Sequence, residues 1–144
     1  MENAATGISA KADASRMPLR LLVVDDHADT ATMLAKLLRS AGYSVKTATS
    51  AAGALDLASK EPFDLLVSDI SLPDATGYQL MRQIKERYGT NGIAMSGYGM
   101  DEDIRKSREA GFSDHLVKPL SFAQLNQAIQ RLMEGGEQIS ISPV

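Results

Sequence analysis

The sequence contains no cysteine, which excludes a disulfide framework and any chemistry that needs a thiolate. A chain without thiols suits a reducing compartment, and a cytoplasmic location is the expectation. It also lacks an apolar run of membrane-spanning length. There is no excess of one charge: 15 Lys and Arg stand against 18 Asp and Glu, a formal net charge of -3, and the two signs are mixed along the chain. Neither a nucleic acid nor an anionic membrane is therefore an expected partner. No internal repeat is present. Residues 1–17 are rich in Ala, Ser and Thr without the apolar stretch of a secretory signal, and are expected to form a disordered leader. What remains of 144 residues, 44% of them hydrophobic, is enough for one sizeable core and too little for two.

Residues 18–134 alternate short aliphatic runs with segments of helical period. That pattern predicts an α/β domain with a parallel sheet covered on both faces. Leu19 to Val24 is almost continuously aliphatic and reads as a strand buried on both sides. Thr30, Leu34, Leu37, Leu38 and Ala41 then recur at helical spacing up to a stop at Gly42. Tyr43 to Ala48 alternates and carries Lys46, which places it at a sheet edge. Ser50 caps a second helix with Ala51, Ala54, Leu55 and Ala58 on its inner face. The third strand, Phe63 to Ser68, runs into Asp69, and a loop with Pro73 and Gly77 leads to a helix marked by Leu80, Met81, Ile84 and Tyr88. Gly92 to Ser96 is the fourth strand. The fourth helix, Met100 to Ala110, opens on Asp101, Glu102 and Asp103, where the macrodipole favours negative charge. Its apolar stripe is little more than Ile104 and Ala110, so it is expected to be the most loosely held. Phe112 to Val117 is the fifth strand, and Ser121 with Gln124 opens the last helix as a capping box. Gly135 and Gly136 are expected to end it, leaving residues 135–144 as a flexible tail too short for an output domain.

Ligands of open parallel sheets gather beyond the carboxyl ends of the strands, where the strand order reverses. Reactive side chains follow four strands: Asp25 and Asp26 the first, Asp69 the third, Ser96 the fourth and Lys118 the fifth. With a doubly wound order 2-1-3-4-5 the first and third strands are neighbours, and three carboxylates meet at the reversal. Such a group repels itself unless a cation or protons intervene. All-oxygen ligation favours Mg2+, with Mn2+ as substitute, over Zn2+. One ammonium and one hydroxyl across the pocket would complete a clamp for a transferring phosphoryl group.

The strings LLVVDDH, LLVSDISLPDATGYQL, IAMSGYG and HLVKPL, spread from about Leu19 to Leu132, strongly resemble the receiver domains of bacterial response regulators. The resemblance implies a flavodoxin-like (βα)5 fold and a phosphoryl group delivered to Asp69 by a histidine kinase or a histidine phosphotransfer protein. It further implies that Asp26 ligates Mg2+ directly, that Asp25 holds it through water, and that Asp69 and the backbone carbonyl of Ser71 complete the ligand set. Ser96 resembles the hydroxyl that follows the phosphoryl group and Lys118 the lysine that pairs with it, with a cis peptide between Lys118 and Pro119. Such a domain catalyses only its own phosphorylation and dephosphorylation, and signals to a downstream protein partner. SGYG and EAGFSDHLVKPL look most like receivers of hybrid histidine kinases and of stand-alone regulators.

One position departs from the family. His115 stands where many receivers carry the Phe or Tyr that turns inward on activation, so Tyr98 and His115 are expected to share that switching role. His27, beside the acid pair, is read as a loop histidine facing solvent. Two other classes compete: a pseudo-receiver signalling by constitutive contact, which the complete acid set opposes, and an aspartyl-phosphate phosphohydrolase, whose usual second acid is here Ser71.

Overall fold

A computed structural model describes residues 17–141, so the expected leader lies outside the described residues except for Met17. The elements are β1 (Arg20–Val24), α1 (Ala28–Ser40), β2 (Ser44–Ala48), α2 (Ala51–Lys60), β3 (Leu65–Asp69), α3 (Gly77–Tyr88), β4 (Asn91–Ser96), α4 (Asp101–Ala110), β5 (Asp114–Val117) and α5 (Phe122–Ile141). The five strands form one parallel sheet of order β2-β1-β3-β4-β5. β2 is indeed an edge strand, and its Lys46 pairs with Glu61 at 3.5 Å.

Side chains alternate across a strand, so the aliphatic runs supply two cores at once. On one face Leu21, Val23, Leu65, Val67, Ile93 and Met95 pack with Ala35 and Leu38 of α1 and with Leu125, Ala128 and Ile129 of α5. On the other, Leu22, Val24, Leu66 and Ala94 pack with Ala54, Leu80, Met81, Ile84 and Ala110 from α2, α3 and α4. Each fully buried aliphatic side chain contributes about 1.5–3 kcal/mol relative to exposure. Neither face has a polar stripe to spare for solvent, which is why the runs are continuous.

The local signals act as expected at most ends. Gly42 takes φ 104° after α1, Ser50 accepts the Gly53 N–H at 3.0 Å, and Ser121 and Gln124 exchange reciprocal bonds. One expectation fails. α5 continues through Gly135 and Gly136 to Ile141, so the supposed tail is helical over residues 135–141, and residues 142–144 lie outside the described residues. Glycine in a helix interior costs only about 1 kcal/mol relative to alanine and, unlike proline, breaks no hydrogen bond. α4 buries Ser107 and Ala110, while Ile104 is only half-buried. Its inner contact is thus partly polar.

Candidate metal and phosphoacceptor site

The sheet order sets β1 beside β3, so the residues ending these strands face the same crevice. Asp25 is fully buried, and its N–H donates to Ala48 at 3.1 Å. Its two oxygens look in different directions. Oδ1 accepts the His27 N–H at 2.9 Å, and Oδ2 lies 3.4 Å from the Lys118 ammonium. Asp69, the buried last residue of β3, accepts from the same ammonium through Oδ2 at 3.0 Å. Lys118 comes from the far side of the sheet, its N–H tied to the Ser96 carbonyl at 2.7 Å, and the Lys118–Pro119 peptide is cis.

Burial alone would push the Lys118 ammonium down, but its hydrogen bond to Asp69 and the charges of Asp69 and Asp25 outweigh that and hold it above its usual value. A raised folded-state value means that the pairing is fully present below the ordinary lysine range and is lost only as pH rises through the folded value. The clamp is therefore intact at neutral pH.

Asp26 and His27 lie on the outer side of Asp25. The His27 Nδ1 sits 3.4 Å from Asp25 Oδ1 and 3.2 Å from Asp26 Oδ1, with the ring 74% exposed. The ring does face solvent, as expected, but it also touches both acids. Ser96 is buried at the end of β4, and its Oγ accepts the Tyr98 N–H at 2.9 Å, leaving the hydroxyl proton to donate elsewhere. Ser71 is exposed in the loop after β3, bridged antiparallel to Thr76.

Two anchors of that loop escaped the reading of the sequence. Asp74 accepts the Ala51 and Ala52 N–H groups, each at 2.9 Å, binding the β3–α3 loop to the N-terminus of α2. These two backbone bonds hold its carboxyl below the usual carboxylate range. A lowered value stabilises the fold above the ordinary range and loses that contribution as pH falls through the folded value. Asp74→Ala is accordingly expected to lower the melting temperature at neutral pH, by an amount that shrinks on acidification. Parallel melts across the acidic range check this, and a difference independent of pH would refute it. The second anchor is Gly77, whose N–H donates to the Ile70 carbonyl at 2.7 Å. A Cβ there would lie 2.4 Å from the Asp69 carbonyl oxygen and 2.8 Å from the Ile70 Cα.

His115 is held at both nitrogens. Nε2 is 2.8 Å from the Tyr98 carbonyl, which can only accept, so Nε2 carries a proton and donates. Nδ1 is 2.6 Å from the Ser107 hydroxyl on α4. Tyr98 itself is exposed. Its peptide N–H and carbonyl are thus gripped by Ser96 and His115 respectively. Ser107 had no signal in the sequence beyond its place on a helix.

Asp25, Asp26 and His27 each offer one ligand atom within 4.8 Å of the other two, and the two acid oxygens are hard donors of the kind a small divalent cation takes, while Asp69 stands across the shared Lys118 ammonium from Asp25. The model for the response regulator receiver domain matches residues 21–130. The chain is 32% identical over 124 residues to the transcriptional regulatory protein CusR of Escherichia coli K12, an alignment covering 85% of this chain and 55% of CusR. It is 32% identical over 112 residues to the sensor histidine kinase RcsC of Salmonella typhi, covering 77% of this chain and 12% of the kinase. Among solved structures, a CheY-like response regulator receiver domain protein from Methanospirillum hungatei superposes with a TM-score of 0.77 at 30% identity, over 84% of this chain and 98% of that one. This chain belongs to the response regulator receiver domain family, a family of signalling domains. It spans about half the length of CusR and a small part of RcsC. Among the described residues no helix is long and apolar enough to cross a membrane.

Proposed function

We propose that this receiver accepts a phosphoryl group on Asp69 in a Mg2+-dependent reaction, taking it from a histidine kinase or phosphotransfer protein. The observation that carries this reading is the Lys118 ammonium shared between Asp69 and Asp25 at the strand-order reversal. An Asp69 carboxylate oxygen attacks phosphorus, the phosphorus–nitrogen bond of the donor histidine breaks, and the electron pair stays on the imidazole. Lys118 and the Ser96 hydroxyl meet the phosphoryl oxygens, a task of positioning and charge neutralisation. A cation held by Asp25, Asp26, Asp69 and the Ser71 carbonyl would neutralise charge on the same group. Mn2+ has the same oxygen preference and would substitute.

The donor's approach is favoured along a groove of about 640 Å³ that opens on Asp25 and Lys118 and is walled by Met33, Leu37, Pro119 and Phe122. Met33 and Leu37 stand exposed on α1. An apolar rim around a charged pocket suits a helical protein partner better than a small substrate. The absence of cysteine and the balanced charge favour a cytoplasmic signalling role without nucleic acid contact by this domain. The likeness to both a regulator and a kinase leaves phosphorelay as the common theme.

The test is intact mass after incubation with acetyl phosphate and Mg2+. One phosphoryl group, lost on adding hydroxylamine, is expected; no gain would overturn the reading. Lys118→Ala is expected to keep metal binding, since an ammonium is no ligand for a cation, while losing the structural response to beryllofluoride. Titration with Mg2+ and then beryllofluoride separates the two, and equal loss of both would contradict the assignment.

The same reading extends to the output. Drawing the Ser96 hydroxyl toward a phosphorylated Asp69 loosens its hold on the Tyr98 N–H, and the strain passes through the Tyr98 carbonyl to His115, Ser107 and α4. Gly99 lies against Val117, where a Cβ would sit 2.5 Å from Cγ2, so the loop packs this closely on β5 only because the position has no side chain. Hydrogen exchange with beryllofluoride and Mg2+ is expected to change between Gly97 and His115. Changes confined to Asp69–Gly77 would rule this route out.

A further inference from the structure

We infer that a cavity at the amino end of the sheet is a binding site for a small amphipathic carboxylate, which puts its apolar body inside and its charged head on Arg87. The cavity lies between the C-terminal parts of α2 and α3, where the chain leads into β3 and β4. It therefore sits at the opposite end of the strands from Asp69 and Lys118.

The space follows from small residues on α2. Its buried face is alanine, with Ala51 and Ala54 against the sheet, and Ala58 brings only a methyl group to the wall that faces Ile84 of α3. The volume left is about 360 Å³. Packed interiors leave few voids larger than a water molecule, and ligand sites begin at about 300 Å³. The floor is Leu22, Leu66 and Ile84, all buried, and Phe63 forms a half-buried wall. Water over such a floor finds few hydrogen-bond partners, so an apolar body that displaces it gains affinity.

Charge then selects the head group. Arg87 is the one charged residue of the lining, it is exposed, and among the described residues no carboxylate pairs with it. The acids next to the Phe63 wall are already taken, Glu61 by Lys46 at 3.5 Å and Asp64 by Arg20 at 3.4 Å. A guanidinium offers a planar fork that matches a carboxylate through two parallel bonds. Tyr88 and Thr90 bring hydroxyls to the same lining. With a single cation available, a monoanion is matched in charge and a phosphate dianion is not. At about 30 Å³ per water-sized group the cavity takes roughly a dozen non-hydrogen atoms, the size of a medium-chain or aromatic monocarboxylate.

The experiment titrates the full chain with sodium octanoate, kept below its aggregation concentration, and separately with 1-octanol, following the methyl resonances of Ile, Leu, Val and Met. Octanoate is expected to shift Leu22, Leu66 and Ile84 saturably, and to bind at least threefold more tightly than octanol. Arg87→Gln, at an exposed position, is expected to bring octanoate down to the affinity of octanol and to leave octanol unchanged. Ala58→Leu fills the cavity and is expected to abolish binding of both probes while raising the melting temperature. An absence of saturable shifts in the wild type would overturn the inference. So would shifts confined to the exposed Met33 and Leu37 on α1, or an octanoate affinity that Arg87→Gln leaves unaltered. Should Ala58→Leu fail to fold, the wild-type titration and Arg87→Gln still decide the matter.

Discussion

Asp69→Asn is expected to abolish the phosphoryl mass gain with acetyl phosphate, a loss of at least a thousandfold, because an amide oxygen is a far poorer nucleophile than a carboxylate. From sequence alone, removing one of three repelling acids is expected to leave the fold unchanged or slightly more stable. The structure adds an opposing effect: Asp69 also pairs with Lys118 at 3.0 Å. The asparagine oxygen still accepts from that ammonium, Asp25 remains at 3.4 Å, and the lysine side chain keeps access to water. Relief of repulsion and loss of pairing therefore nearly cancel, and stability is expected to stay within about 1 kcal/mol of wild type. Mass spectrometry and a urea melt check the two halves separately. A phosphorylated variant would move the acceptor elsewhere, and a severe loss of stability would mean that the ion pair outweighs the repulsion.

Gly77→Ala is expected to be nearly as damaging to phosphorylation without touching a reacting atom. The added methyl would stand 2.4 Å from the Asp69 carbonyl and 2.8 Å from the Ile70 Cα. Both are backbone, so neither can rotate aside. Relief requires the end of β3 to shift, at a cost of about 1–3 kcal/mol in stability. It also displaces the acceptor from its place against Lys118, for which a rate loss on the order of 100-fold is expected. Stopped-flow phosphorylation of the folded fraction checks this. A variant that is destabilised yet phosphorylated at the wild-type rate would show that α3 yields instead of β3.

How far these outcomes could be read beforehand differs from residue to residue. Asp25, Asp26, Asp69, Ser96 and Lys118 were legible because each ends or follows a strand, and period-two burial leaves a strand end as the place where a reactive side chain can meet a ligand. Asp74 was not, since a carboxylate in a loop carries no sign of which helix N-terminus lies near it, 23 residues back along the chain. Ser107 looked like an ordinary helical serine until its hydroxyl met His115 across from α4. His115 itself was legible as a departure from the aromatic pattern, but not as a ring bound at both nitrogens. The stop assigned to Gly135 and Gly136 misjudged a weak signal, for glycine only weakens a helix.

By itself the sequence determined the alternation of strands and helices, the two-faced sheet, the caps at Ser50 and Ser121, and the set of side chains available at the strand ends. Those follow from local periodicity and from short-range hydrogen bonding, which need only neighbours in the chain. Tertiary structure alone decided that one ammonium serves both Asp25 and Asp69, that His27 leans on two acids, and that the Tyr98 peptide is gripped between Ser96 and His115. These are contacts between side chains and backbone atoms of separate elements, set to within a few tenths of an ångström by how the helices pack on the sheet, and no local pattern encodes such distances.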